Sequence, residues 1–175
     1  DDYIATKGLS LVFHTDTDQK IMAVDEEKIE RILLNLLSNA IKFSPPGAAI
    51  YVDLTDKGNT ISIKVRDMGI GIPLELQQDI FQRFYQISPL HTRLQEGSGI
   101  GLNLVKSLIE MHRGTISVES EYGNGAAFIV ELPCSLLPKE NTEKYESKGR
   151  QSRIDNIQLE FSDIYLGNNT YPRLE

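Results

Sequence analysis

The sequence predicts an α+β fold in which a mixed, mostly antiparallel sheet is covered by helices on one face. Short segments with alternating apolar residues indicate strands, and most of them are joined by turn-forming residues, which favours antiparallel hairpins. Other segments repeat their apolar residues every three or four positions, as amphipathic helices do. Strands and helices alternate irregularly along the chain, which is typical of helices packed on one side of such a sheet.

The first half of the chain is predicted to contain four strands and one long helix. The strands are predicted at residues 10–14, 21–24, 49–54 and 60–65. Asp25 is suited to cap the long helix, because its side chain can accept a hydrogen bond from a backbone N–H of the first turn. The helix should end before Pro45, since a residue that precedes proline disfavours the helical conformation. Residues 56–59 form the predicted turn between the last two strands.

The second half is predicted to contain two helices and a final hairpin. One helix is expected at residues 74–84, with Pro73 suited to its first turn. The other is expected at residues 101–112, with Gly114 as its C-terminal stop. Two strands, at residues 115–120 and 127–132, follow it.

Composition excludes several classes of protein. The chain has 175 residues, with 18 basic and 25 acidic side chains and a net charge of −7, and this acidic balance argues against nucleic-acid binding. No apolar run reaches the roughly 20 residues that span a bilayer, and the N-terminus does not resemble a signal peptide, so no membrane contact is expected for this segment. The single cysteine, Cys134, excludes a disulfide framework and fits a cytoplasmic location.

The chain is expected to consist of one domain and a tail. Residues 1–133 are dense in periodic apolar segments, whereas residues 134–175 are predicted to be a partly flexible tail. Within that tail Ile157, Leu159 and Phe161 alternate with polar residues, which predicts a short strand near 157–161 or a docking segment.

Three polar residues of the first predicted helix are candidates for binding phosphate and metal. Asn35 and Asn39 are four residues apart and share a face, and Lys42 follows within one more turn. An amide oxygen can bind Mg²⁺, which also binds substrate phosphates, and the lysine could supply charge to those phosphates. The alternative is that both asparagines are solvated or bonded to the backbone.

Two glycine-rich segments are candidates for nucleotide binding. In residues 67–71, which follow a strand, the glycines allow close approach of a ligand, and Asp67 can accept a hydrogen bond from an exocyclic amine. The alternative there is a tight strand-to-helix turn. Residues 97–102 open a helix, where backbone N–H groups attract anions. This segment follows no strand, which disfavours a dinucleotide-binding fold.

Between the two glycine-rich segments lie an aromatic pair and a polar loop. Phe81 and Phe84 are one helical turn apart, and the simplest interpretation is that both rings pack in the core. Residues 86–96 show no periodicity, and a polar loop of this length is often a functional lid.

The order and spacing of these pieces resemble the ATP-binding catalytic domain of sensor histidine kinases of two-component systems. The matching motifs are the N box (NLLSNAIKF), the G1 box (DMGIG), the F box (FQRF) and the G2 box (GSGIGL). The resemblance covers about residues 9–133. It implies the Bergerat-type two-layer α/β sandwich, with ATP and Mg²⁺ as the bound ligands.

Carried over position by position, the resemblance implies a role for each matching residue. Asn39 would be the Mg²⁺ ligand, with Asn35 as its partner. Lys42 would reach the phosphates, Phe43 would cover the purine or the sugar, and Asp67 would bind the adenine amino group. The other implied nucleotide-binding residues shape the pocket wall or cradle the phosphates: Gly69, Gly71, Ile72, Gly97, Ser98, Gly99, Ile100, Gly101 and Leu102.

The implied activity is that of a protein-histidine kinase. The γ-phosphoryl group of ATP would pass to a histidine on a dimerisation domain, expected upstream of Asp1, and then to the receiver domain of a response regulator. The implied catalytic residues are Asn35, Lys42 and Arg83, of which Arg83 is a candidate contact to the transferred phosphoryl group. The chain's own histidines do not resemble the family's phosphoacceptor, which is followed by an acidic residue: His14, His91 and His112.

Asn35 also distinguishes between members of the superfamily. Asn35 lies at the position that resembles the site of a water-activating Glu in the related gyrase, MutL and heat-shock ATPases. An amide, in contrast, cannot take up a proton at neutral pH. Two alternatives stay open, a pseudokinase or scaffold that binds nucleotide without transfer, and a related ATPase or serine kinase. The sequence departs from the family pattern at Gln86, since the position it resembles is an arginine in many members. The geometry of phosphoryl transfer could then rely on Arg83 or Arg93. The sequence departs again at Arg113, which interrupts a usual pair of glycines.

Overall fold

The computed structural model of the chain describes residues 7–83, 85 and 100–134. They contain a five-stranded sheet and two α-helices. The strands are β1 (Ser10–Thr15), β2 (Ala49–Asp56), β3 (Thr60–Arg66), β4 (Thr115–Ser120) and β5 (Ala126–Pro133), and the helices are α1 (Glu26–Phe43) and α2 (Gly101–Met111). The strand order is β1-β2-β3-β5-β4, with β1 parallel to β2 and the other pairs antiparallel. The predicted mixed, mostly antiparallel sheet is therefore confirmed.

The core lies between one face of the sheet and the two helices. Ile63 and Val65 of β3 are buried opposite Val130 and Phe128 of β5. Because side chains alternate along a strand, these residues share one face of the sheet. The buried residues of both helices belong to the same cluster, including Ile32 of α1. The fold is thus a two-layer α+β arrangement with the helices on one face, as the sequence predicts.

Helix α1 begins and ends where its sequence signals place it. The Asp25 side chain accepts a hydrogen bond from the backbone N–H of Lys28, and the helix ends at Phe43, with Ser44 as its C-cap. The buried stripe faces the sheet: Ile32, Leu36, Ala40 and Ile41. This spacing of three and four residues turns the opposite face of the helix away from the core.

A lysine from the start of the described chain closes the C-terminal end of α1. Lys7 Nζ donates hydrogen bonds to the carbonyl oxygens of Ile41, Lys42 and Ser44, at 3.0, 3.1 and 3.4 Å. The last carbonyls of a helix lack partners within the helix and carry partial negative charge, so a cation stabilises them. Lys7 lies just before β1, and it therefore joins the start of the sheet to the end of α1.

Helix α2 ends differently from the prediction. Its C-cap is His112, and Arg113 takes the left-handed conformation with φ of 57°, so the prediction that Gly114 forms this stop is wrong. A Cβ at Gly114 would lie 2.5 Å from the carbonyl oxygen of Glu131, so the glycine permits close packing on β5 instead. His112 Nε2 accepts the backbone N–H of Asp25 at 3.1 Å, which links the end of α2 to the start of α1.

The helix predicted at residues 74–84 is wrong. Two short 3₁₀ turns, Leu74–Leu76 and Asp79–Phe81, take its place. Gln77 Nε2 donates to the carbonyl oxygens of Ile72 and Ser120, at 3.0 and 2.8 Å, and this anchors the segment to the end of β4. Leu74 is 80% exposed, so the segment has no continuous apolar stripe that would stabilise an α-helix by packing.

The strand predicted at residues 21–24 is also wrong, because these residues pair with no strand among those described. Lys20 Nζ contacts the carboxylate of Asp56 and the carbonyl of Gly58 at 2.8 Å. The chain therefore crosses the end of the β2–β3 hairpin instead of running along the sheet.

Some predictions concern residues outside the described part of the chain. These are the loop at residues 86–96, the glycines and serine at 97–99, and the tail beyond Cys134, including the strand near 157–161.

Within the described ranges, neither helix has the length and apolar character needed to cross a lipid bilayer.

Candidate functional site

The two asparagines of α1 lie one turn apart and are both half-buried. Asn35 Nδ2 donates to the carbonyl of Arg31 at 3.0 Å, and a Cβ at Gly101 would lie 2.7 Å from Asn35 Oδ1. The Asn39 side chain makes no hydrogen bond with any of the described residues. Its amide oxygen is therefore left for a ligand, and an amide oxygen is a chemically suitable ligand for Mg²⁺.

The last turn of α1 places a cation beside an aromatic ring. Lys42 Nζ lies 5.6 Å from the centroid of the Phe43 ring, and Phe43 is 36% exposed. The turn that follows β3 packs directly against this end of the helix, since a Cβ at Gly69 would lie 2.5 Å from the Phe43 carbonyl oxygen. The contact brings the N box and the G1 box together.

Asp67 is a buried carboxylate at the end of β3, with 5% exposure. Its Oδ1 accepts hydrogen bonds from the backbone N–H groups of Gly69 and Ala126, at 2.8 and 3.3 Å. Burial raises the pKa of this carboxyl group, and hydrogen bonds from the backbone of Gly69, Ala126 and Asp67 itself oppose that effect only in part. Oδ2 makes no hydrogen bond with the described residues, so it can accept one from an amino group of a ligand.

Two glycines hold the Asp67 segment against the β4–β5 turn. Gly71 has φ of 69°, and a Cβ there would collide with the carbonyl oxygen of Glu121. Gly125 has φ of 82°, and a Cβ there would collide with the Asp67 carbonyl oxygen. Gly125 is not among the predicted site residues, because its contact with Asp67 joins positions that are distant in sequence. Ile72, the next predicted residue, packs partly buried against the core.

The start of α2 packs against Asn35 of α1. Its N-cap, Ile100, provides no side-chain hydrogen bond, and Gly101 packs against Asn35. Leu102 packs against the core. The first N–H groups of a helix lack partners within the helix, so this end of α2 suits an anion. The rest of the G2 box lies outside the described residues: Gly97, Ser98 and Gly99.

A polar bridge joins the F box to α2. Arg83 Nε donates to Asn103 Oδ1 at 3.1 Å, and Asn103 Nδ2 donates to the Phe81 carbonyl at 2.9 Å. The ring of Phe81 meets that of Phe128 edge-on in the core, with 6.4 Å between centroids, whereas Phe84 lies outside the described residues. Asn103 is not among the predicted site residues, because a single asparagine in a helix carries no recognisable signal.

A cavity of about 570 Å³ lies on the outer side of the turn that follows Asp67. Two predicted site residues, Phe43 and Gly69, are among those that line it. Apolar side chains, including Met68 and Tyr122, form much of the remaining wall. The exposed ring of Phe43 therefore adjoins open space beside the G1 box.

Comparison with known protein families gives one match across most of the described residues. The family of histidine kinase-, DNA gyrase B- and HSP90-like ATPases matches residues 24–136. The chain is 44% identical over 148 residues to the sensor histidine kinase TmoS of Ectopseudomonas mendocina, which covers 83% of this chain and 15% of TmoS. The curated relatives are longer proteins, of which the chain spans between 10% and 24%.

Solved structures with the same fold include two of the histidine kinase ThkA and one of ShkA. The catalytic domain of ThkA has a TM-score of 0.66 and 29% identity, covering 76% of this chain and 84% of that domain. ThkA in complex with the response regulator TrrA has a TM-score of 0.64 and 28% identity, covering 77% of this chain and 36% of that chain. Full-length ShkA in complex with AMPPNP has a TM-score of 0.67 and 26% identity. The match covers 78% of this chain and 28% of the ShkA chain.

Proposed function

The chain belongs to the family of histidine kinase-, DNA gyrase B- and HSP90-like ATPases, and we propose that it is the ATP-binding catalytic domain of a two-component sensor histidine kinase. In this proposal the domain binds ATP with Mg²⁺ and positions the γ-phosphoryl group for transfer to a histidine on a separate dimerisation domain. The phosphohistidine then supplies the phosphoryl group to a response regulator. The similarity to TmoS and to ThkA, which forms a complex with TrrA, supports this assignment.

The observation that carries the proposal is the geometry of Asp67. The N–H groups of Gly69 and Ala126 hold one carboxylate oxygen, so the other remains as the acceptor for the adenine amino group. A buried carboxylate without a full set of partners is costly to the fold. A raised pKa caused by burial is also typical of functional sites.

The proposed phosphate-binding residues approach from α1, α2 and the F box. Asn39 is the proposed Mg²⁺ ligand, since its amide forms no hydrogen bond with the described residues, and Asn35 lies one turn away. When bound, Mg²⁺ would neutralise charge on the phosphates. Lys42 adds positive charge, Phe43 covers the purine or sugar, and Arg83 contacts the transferred group.

Asn35 favours transfer to protein over hydrolysis of ATP. Its Nδ2 donates to the carbonyl of Arg31, and its Oδ1 lies against Gly101. An amide in this position cannot accept a proton from an attacking water at neutral pH. Phosphoryl transfer depends mainly on positioning and charge neutralisation, which the other proposed residues supply.

The proposed partners are the phosphoacceptor and dimerisation domain of the same kinase and the receiver domain of a response regulator. The proposal includes no nucleic acid and no direct contact of this segment with a membrane. The proposed location is the cytoplasm, where ATP is available, and the longer protein could still be anchored in a membrane.

Calorimetric titration with ATP and Mg²⁺ tests the adenine assignment, with Asp67→Asn as the probe. The N–H groups of Gly69 and Ala126 should hold the oxygen of the new amide, so its NH₂ group would oppose the amino group of adenine. We expect the Kd of ATP to rise at least about 30-fold, in line with the loss of a hydrogen bond to a buried charged group. ITP, which has an acceptor oxygen in place of that amino group, should lose much less affinity.

The control for this titration is Asp53→Asn, because Asp53 pairs with His14 and both side chains are well exposed. It should bind ATP as the wild type does. If Asp67→Asn binds ATP as tightly as the wild type, the adenine assignment is wrong.

Transfer is tested separately, on a longer protein that includes the dimerisation domain. Label from the γ-phosphate of ATP should appear as acid-labile phosphohistidine. Acid-stable phosphoserine would indicate a serine kinase, and phosphate release without protein labelling would indicate an ATPase. Nucleotide binding with neither product would indicate a pseudokinase.

A further inference from the structure

The side chain of Asn103 uses both ends of its amide to hold the F box against α2. Its Oδ1 accepts from Arg83 Nε at 3.1 Å, and its Nδ2 donates to the carbonyl of Phe81 at 2.9 Å. If the amide were turned over, its NH₂ group would face the N–H donor of Arg83, and its oxygen would face the carbonyl oxygen of Phe81. The two contacts therefore fix one orientation of the side chain.

This bridge leaves the far end of Arg83 for another partner. Only Nε is engaged, and the two Nη groups make no hydrogen bond or ion pair with the described residues. Arg83 is exposed, whereas Asn103 is half-buried and belongs to a helix. A guanidinium group held at Nε presents its Nη groups as a planar fork, a shape that matches phosphate oxygens.

The bridge also fixes the position of this fork relative to the candidate site. Asn103 is the third residue of α2 and follows Gly101, which packs against Asn35 of α1. The first turn of α2 therefore contacts Asn35 on one side and holds Arg83 through Asn103 on the other. That turn has no side-chain cap, so its N–H groups and the Arg83 fork can act on the same anion.

We propose that Asn103 is a positioning residue that holds Arg83 so that its Nη groups contact the terminal phosphoryl group of ATP. The inference rests on the proposed function and adds to it a residue outside the four motifs. Asn103 itself does not touch the nucleotide. Its effect on nucleotide affinity is exerted through Arg83 alone.

Comparing the affinities of ATP and ADP, each with Mg²⁺, tests the inference on the full 175-residue chain. ADP lacks the terminal phosphoryl group, so Arg83→Ala should raise the Kd of ATP about tenfold and that of ADP less than about twofold. Asn103→Ala should have the same selective effect on ATP, about fivefold. The double variant should bind ATP no more weakly than Arg83→Ala, because one residue acts through the other.

Asn103→Asp separates the two hydrogen bonds of the bridge. A carboxylate oxygen can still accept from Arg83 but cannot donate to the carbonyl of Phe81. Because the carboxylate also adds negative charge beside the Arg83 fork, we expect this variant to weaken ATP more than ADP while its Tm falls. Ser107→Ala is the matched control, because among the described residues the Ser107 hydroxyl donates only to the backbone carbonyl of Asn103, and it should change neither the affinity ratio nor the Tm appreciably.

Equal weakening of ATP and ADP in Asn103→Ala would overturn the inference, because a residue that only supports the fold would act on both nucleotides. Additive losses in the double variant would also overturn it. An unchanged ATP affinity in Arg83→Ala would overturn it while leaving the adenine site intact. If the wild-type chain bound neither nucleotide, the proposed function itself would fail.

Discussion

The two sides of the candidate site are held together by different kinds of interaction. On the Asp67 side the neighbouring segments pack backbone against backbone, because Gly69 and Gly125 let them approach without intervening side chains, and backbone N–H groups hold the Asp67 carboxylate. On the α2 side the contacts are made by side chains, chiefly the bridge between Arg83 and Asn103. The first side is buried, and the guanidinium group of the second is exposed.

This difference determines which substitutions damage each side. A backbone contact cannot be removed by truncating a side chain, but it can be broken by adding one. The Asp67 side should therefore be most sensitive to added methyl groups, and the α2 side to truncation. The first side should recognise its ligand through fixed geometry, and the second through charge.

The largest effect is expected from adding a methyl group at Gly125. The new Cβ would collide with the carbonyl of Asp67, so the end of β3 must move. We expect the free energy of unfolding in urea to fall by about 3 kcal/mol and ATP binding to be lost. Gly58→Ala is a closely matched control, because Gly58 has φ of 81° against 82° for Gly125, and a Cβ there meets nothing within 4 Å.

The control should lose only about 1 kcal/mol, the cost of a left-handed conformation in a residue other than glycine. Similar losses in the two variants would show that backbone conformation, and not the contact with Asp67, determines stability. The contrast between the two sides of the site would then be wrong.

A smaller effect is expected from lowering the pH. Burial raises the pKa of Asp67, and the adenine amino group needs the ionised carboxylate as its acceptor. ATP affinity should therefore start to fall at a higher pH than it would for an exposed aspartate, by up to about tenfold per pH unit below the pKa. A calorimetric pH series measures this, and Asp67→Asn should retain only the weaker dependence that arises from the phosphates.

The same carboxyl group should affect stability with the opposite sign. Because its pKa is raised in the folded state, the folded protein binds this proton more tightly than the unfolded chain does. The contribution of Asp67 to stability should therefore grow as the pH falls through the folded-state pKa. Urea denaturation at several pH values should show the difference between wild type and Asp67→Asn shifting in favour of the wild type as the pH falls.

The smallest effect is expected from removing the side chain of His112. This residue joins the C-terminal end of α2 to the start of α1, at the helix ends that lie away from the candidate site. His112 Nδ1 donates to the carbonyl of Leu108 at 2.8 Å, and its Nε2 accepts the backbone N–H of Asp25. His112→Ala should lower the free energy of unfolding by about 1 kcal/mol and leave ATP affinity unchanged. His14→Ala, at an exposed ion pair, should cost less than about 0.5 kcal/mol. A clear loss of ATP affinity in His112→Ala would show that the two sides of the site are coupled through the helix ends.

Local signals in the sequence predicted the first helix well, because both of its limits depend on neighbouring residues. Asp25 caps the helix through Lys28, three residues away, and the chain leaves the helical conformation just before Pro45. The segment after Pro73 was predicted wrongly, because its conformation depends on the bond between Gln77 and Ser120, which are distant in sequence. Tertiary contacts of this kind override local helical preference.

The same distinction applies to the site. The motifs predicted which residues of α1 and of the turn after β3 to consider, and the structure shows Gly69 packed against Phe43. They did not predict Gly125 or Asn103 as site residues, since each has its partner in another element. The role of each site residue in binding nucleotide stays a prediction.

The hydrogen bonds of Lys7 have a practical consequence for anyone who shortens this protein. The family similarity begins at residue 24, which suggests a natural place to cut. A chain cut there would lose β1, the parallel neighbour of β2, together with the cation that binds the last carbonyls of α1. Those carbonyls adjoin Lys42 and Phe43, so trimming to the limits of sequence similarity would disturb the ligand site from a distance. A shortened chain that keeps these contacts therefore starts no later than Lys7.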